Sequence, residues 1–177
     1  MKRAFTLVEL IVSMVIVMLI SGGALVYLNE FNSRQKLEKG KDEVVAAIKM
    51  IQSSARGRQL PLNSTKSELN FIRLYTPLLD TPPKRYLKAD VNEDGNDIFY
   101  RKSVNELGVG VSTIPNYIYF GAGNGRLIKD ISLTPYLYYS DTETATVIVE
   151  NEAEKIEGYE IIIDALGQIK EVNYYKE

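Results

Sequence analysis

Cysteine, histidine and tryptophan are all absent from the 177 residues. Without cysteine there is no disulfide, zinc–thiolate site, iron–sulfur cluster or thiol nucleophile. Without histidine the commonest general base is missing, and with it Ser-His-Asp triads and imidazole metal sites. Any hydrolytic or redox chemistry has only carboxylates, lysine and tyrosine to run on. Excess charge is lacking too: 21 Lys and Arg stand against 23 Asp and Glu, a net charge of −2. A general nucleic-acid binder carries a strong basic excess, so this balance argues against a nucleic-acid partner. In bulk the chain is ordinary, 45% hydrophobic and 25% charged. That excludes a disordered tail and a multi-span membrane protein. The length allows one domain, or a small domain with an appendage. Twelve tyrosines point to an aromatic-rich β portion.

The composition is uneven. Lys2 and Arg3 precede an apolar run, Phe5–Leu28, whose single charge is Glu9. As a helix the run is roughly 36 Å long, enough to cross a hydrocarbon core of roughly 30 Å. It is too long for a secretory h-region, and no A-x-A cleavage site follows it. The positive pair before it predicts a cytoplasmic N-terminus and an exported remainder. Glu9 is costly inside a membrane segment, by about 2.5–3.5 kcal/mol at a helix centre and less near the interface. Either it snorkels to the headgroups or it meets a specific cation. Thr6, Ser13 and Ser21 can bond back into the helix.

The helical pattern continues past the apolar run. Residues 29–58 hold no proline, and Leu37, Val44, Ile48, Ile51 and Ala55 fall on one stripe of an amphipathic helix. Charged residues from Arg34 to Lys49 occupy its other faces. Gly22-Gly23 and Gly40 are weak points in a helix. Gly57 or the turn Leu60–Asn63 should end it. Beyond Pro61 the period changes to short strand-like runs: 70–75, 98–104, 117–120, 126–133, 144–150, 159–163 and 168–175. Turns are expected at Gly121–Gly125, Asp94-Gly95 and Leu166–Gln168. The expected class is α+β, one long helix and an antiparallel β domain. The divisions are 1–4, 5–28, 29–58 and 59–177.

Lys2-Arg3-Ala4 followed by Phe5-Thr6-Leu7-Val8-Glu9-Leu10 resembles the processing site of type IV pilins and type II secretion pseudopilins. The resemblance implies that residues 1–4 are a leader removed by a prepilin peptidase between Ala4 and Phe5. It implies N-methylation of Phe5, pairing of Glu9 with a neighbouring subunit's N-terminal amine, and the pilin fold. The implied partners are the peptidase, other pilin or pseudopilin subunits, an assembly platform and the membrane. The implied location is a single-pass cytoplasmic membrane protein, later in a surface pilus or pseudopilus. Ala4 departs from the usual glycine before the cut. A looser resemblance runs from IKMIQSSARGRQ through YIYFGAGNGRL to IIIDALGQI, similar to the H-type minor pseudopilins and FimT-like minor pilins. It implies a helix packed on two small sheets. Some FimT-like members bind DNA through arginines, but the matching stretch Gly167–Glu171 has one lysine and no arginine.

Asp90-Val-Asn-Glu-Asp-Gly95 matches the first half of a calcium loop, with Asp90, Asn92 and Asp94 as oxygen donors. The twelfth position is Arg101 where glutamate is needed, though Asp97 could serve by a different wrap. The competing reading is an exposed Asp-Gly turn. The acidic stretch Glu150, Glu152, Glu154 and Glu157 reads as a solvated loop. Gly121–Gly125 lacks the Lys-Ser/Thr of a phosphate loop and reads as a hairpin turn. The pairs Tyr138-Tyr139 and Tyr174-Tyr175 should each place one ring on either face of a strand. These observations favour a structural subunit over an enzyme, with no cofactor required and calcium as the one candidate. The rivals are a signal-anchored surface protein that binds calcium or another ligand, and a DNA-uptake minor pilin.

Overall fold

A computed structural model describes residues 6–62, 64–79, 84–151 and 157–176. Helix α1 runs Leu7–Arg56. The chain divides into two compact units, Met1–Gln35 and Lys36–Glu177. In the first, the large apolar side chains from Leu7 to Ile20 are all exposed. Their β-branched members would weaken a helix in water. In lipid the backbone has no other way to satisfy its polar groups, so the helix is enforced there.

In the second unit α1 contributes the stripe read from the sequence. Leu37 is 2% exposed, and Val44, Ile48, Ile51 and Ala55 are fully buried. Gly40 is not a weak point. It is a notch: a Cβ there would lie 2.4 Å from Cγ2 of Val109, so only glycine admits that side chain. The end of α1 is a Schellman motif, with Gln59 N–H donating to the Ser54 carbonyl and Arg58 N–H to that of Ala55. Its left-handed position, φ 50°, is held by Arg58 and not by glycine. A side chain in that conformation costs roughly 1 kcal/mol or more.

The strands are β1 (Phe71–Tyr75), β2 (Leu78–Leu79), β3 (Lys84–Val91), β4 (Asp94–Ser103), β5 (Gly110–Ile114), β6 (Tyr117–Gly121), β7 (Leu127–Asp130), β8 (Leu137–Tyr138), β9 (Thr144–Glu150), β10 (Glu157–Asp164) and β11 (Ile169–Lys176). Among the described residues one antiparallel sheet has the order β2-β3-β1-β6-β7-β8, with β4 also on β3, and the other β11-β10-β9-β5. Alternate residues Ala145, Val147 and Val149 of β9 and Ile161 and Ile163 of β10 point inward. With Ile72, Leu74, Leu87, Ile118 and Phe120 of the first sheet and the α1 stripe they form one core.

Four expectations are corrected. β2, β3, β5 and β8 do not appear among the runs read from the sequence. The strand expected over 98–104 starts at Asp94 and stops at Ser103, where a capping box opens the one-turn helix α2, Val104–Leu107. The turn lies at Asn92-Glu93, two residues earlier than expected, because both have positive φ, 50° and 60°, and Val91 faces Asp94. Glu157 is not in a solvated loop. It opens β10, is 7% exposed, and accepts a hydrogen bond from the Tyr174 hydroxyl at 2.8 Å.

Candidate assembly site at the start of the helix

Glu9 is the third residue of α1, and Thr6 caps it. Glu9 N–H donates to Thr6 Oγ1 at 3.3 Å, and Glu9 Oε2 accepts from the Thr6 N–H and hydroxyl, both at 3.1 Å. This reciprocal capping box satisfies helix donors that lipid could not. Negative charge in the first turn is also favoured by the helix dipole. The Thr6-x-x-Glu9 spacing is a capping signature in the sequence itself, and it gives Thr6 a different role from bonding back into the helix. Ser13 does bond back, donating to the Glu9 carbonyl at 2.7 Å. All of these groups are exposed on a helix long and apolar enough to cross a membrane, with none of its apolar window buried against the protein.

The second group of candidates lies at the β3–β4 hairpin. Asp90 is fully buried and accepts from Arg73 Nε at 3.0 Å, Arg73 Nη2 at 2.7 Å and the Tyr75 hydroxyl at 2.9 Å. Asn92 Oδ1 accepts the backbone N–H groups of Asn70 and Phe71, and its amide donates to the Glu68 carbonyl. Asp97 holds Ser64 and Thr65. The Asp94 side chain lies outside the described residues. Asp90, Asn92 and Asp97 thus serve three separate sets of partners. Among the described residues no three acidic side chains group to hold a metal ion.

Arg73 and Tyr75, missed in the sequence, alternate on the same face of β1. Arg73 stacks on the rings of Tyr75 and Tyr117 and reaches Glu93 at 3.1 Å. Glu93 also accepts from the Tyr119 hydroxyl at 2.9 Å, which holds its left-handed backbone in place. Burial works against the Arg73 charge, but its hydrogen bonds to Asp90 outweigh that and raise its pKa. Burial first, then the bonds to Asp90 and Glu93, pushes Tyr75 and Tyr119 up to about 12 each. The cluster locks β1, β3 and β6 together.

Residues 1–25 match the family model described as the prokaryotic N-terminal methylation motif. The chain carries that methylation motif. It supports a subunit of the type IV pilin or pseudopilin kind, a structural class, anchored in a membrane by its N-terminal helix. No curated protein and no solved structure matches the chain. The motif spans the expected cleavage and methylation position, Ala4 and Phe5, both outside the described residues, and it contains Thr6 and Glu9.

Proposed function

We propose that the chain is a pilin-like structural subunit of a type IV pilus or of a type II secretion or competence pseudopilus. A prepilin peptidase removes residues 1–4, and Phe5 is methylated. The apolar half of α1 holds the subunit in the cytoplasmic membrane, with the domain exported, until an assembly platform transfers it into a filament. There the helices pack side by side, and Glu9 meets the N-terminal amine of a neighbour. A buried carboxylate and a buried amine are each expensive alone and much less so as a pair, so the contact sets the register. The methylation motif carries this reading. The exposed apolar helix and its polar first turn support it. The H-type or FimT-like resemblance is a finer proposal; in the 90–97 loop the protein partners of Asp90 and Asn92 favour a plain hairpin, with calcium the alternative.

Intact-mass analysis of the membrane-extracted subunit tests the reading. The expected mass lacks residues 1–4 and carries one added methyl group. Assembled filaments that retain Met1 would refute it.

A further inference from the structure

Beside the end of α1 lies an open cleft of about 330 Å³, lined by Arg58, Ser67, Glu68, Asn70, Tyr136 and Tyr138 among others. This is the small end of the range for ligand sites. Arg58 stands in the left-handed position that glycine fills without strain. Its guanidinium crosses Gly123 so closely that a Cβ there would lie 2.9 Å from Nε. Among the described residues no carboxylate, carbonyl or ring engages this guanidinium.

Two more arginines border the same glycine loop. Arg56 crosses Gly125, where a Cβ would lie 2.6 Å from its Cγ, and reaches the Leu166 carbonyl at 3.4 Å. Arg126 stands over the Tyr138 ring at 5.6 Å, with its Nε buried and unpartnered. Its ion-pair partner Asp141 is 3.6 Å away and 91% exposed. A cation at a helix C-terminus is favoured by the dipole. That explains a positive charge at Arg56 or Arg58, but not a strained backbone at Arg58; Gly123 is required by its own positive φ of 84°, whatever crosses it.

The geometry points to a binding cleft for an acidic sugar, a pyranose ring bearing a carboxylate. Arg58 offers an unoccupied planar fork that matches a carboxylate in two hydrogen bonds. Tyr136 and Tyr138 line the cleft, the first ring packed edge-on with Phe71 and the second beneath Arg126, and an aromatic ring with a polar tip suits the mixed surface of a sugar. Ser67, Glu68 and Asn70 supply the mixed donors and acceptors that hydroxyl groups need. A nucleic acid is disfavoured, because it is held by several unpaired cations, and Arg56 and Arg126 beside Arg58 already have partners. The inference is independent of assembly through α1.

The test uses the full chain in detergent micelles, with trigalacturonate as probe and its fully methyl-esterified, neutral form as control. Tyrosine fluorescence reads binding, since the chain has twelve tyrosines and no tryptophan. Saturable binding of trigalacturonate is expected, with the ester weaker by roughly tenfold or more, the value of a charge-assisted pair. Arg58→Gly should lose affinity to the same extent while its melting temperature holds or rises, because the substitution relieves the backbone. Arg58→Lys should fall between. No saturable binding at millimolar probe, equal affinity for the ester, or full affinity in Arg58→Gly would overturn the inference. So would tighter, steeply salt-dependent binding of a single-stranded oligonucleotide.

Discussion

In the proposed filament Glu9 has two partners to lose, Thr6 and a neighbour's amine, and three substitutions separate them. Glu9→Gln removes the charge but keeps an oxygen that can accept the Thr6 N–H, since glutamine also completes a capping box. Glu9→Ala removes both charge and cap. Thr6→Val removes the hydroxyl that Glu9 N–H now uses at 3.3 Å and leaves the charge. Loss of the cap costs about 1 kcal/mol. Loss of one partner from a buried ion pair costs about 3–5 kcal/mol, because the remaining amine is left unpaired in a helix bundle. At the lower figure, incorporation falls roughly a hundredfold. No lysine or arginine lies between Phe5 and Arg34, so the chain itself offers no replacement. The assay is sheared-filament yield against total membrane subunit, in cells lacking the wild-type copy. All three variants should be inserted and cleaved. Thr6→Val should assemble within a few-fold of wild type, and Glu9→Gln and Glu9→Ala should both fail. If Glu9→Gln assembles normally while Glu9→Ala does not, the carboxylate works as a cap and the register argument is refuted.

Asp90→Ala should destabilise the domain by about 3 kcal/mol, since Arg73 keeps only Glu93 as a carboxylate partner, read as a lowered thermal midpoint. Tyr75 and Tyr119 hold their protons to about 12 in the folded chain against 10.0 for a free tyrosine. Their contribution is therefore complete below pH 10 and is lost as pH rises from 10 towards 12, so the thermal midpoint should fall over that window. Gly40→Ala should destabilise despite alanine's better helix propensity, by about 1 kcal/mol net, and Val109→Ala in the same chain should recover part of the loss by vacating the notch. Millimolar calcium should leave the melting temperature unchanged, because Asp90 and Asn92 already have protein partners; a rise abolished by Asp94→Ala would assign calcium to the loop.

Features that depend only on near neighbours along the chain are legible in the sequence. The start and end of α1, the buried stripe from Leu37 to Ala55, and the alternation of β9 and β10 rest on periods of a few residues, and the folded chain keeps them. The methylation motif is equally local, and the spacing of Thr6-x-x-Glu9 is enough to mark a cap. Tertiary structure decided whatever needed a distant partner. β3 has the period-2 alternation, with Leu87, Ala89 and Val91 inward, but Lys88 and Asp90 on its other face are buried as well, and a buried aspartate is tolerable only once Arg73, seventeen residues upstream, is paired beside it. Asp90-Val-Asn-Glu-Asp-Gly95 is ambiguous alone, because the same oxygens suit a cation or a hairpin. Arg73, Tyr75 and the backbone of Asn70 and Phe71 took up those of Asp90 and Asn92. Gly40 reads as a helix weakness until Val109, from the bend just before β5, fills the space where a side chain would be. The reason is common to these cases. Propensity and period act between near neighbours, whereas the cost of burying a charge or omitting a Cβ depends on what folding brings alongside.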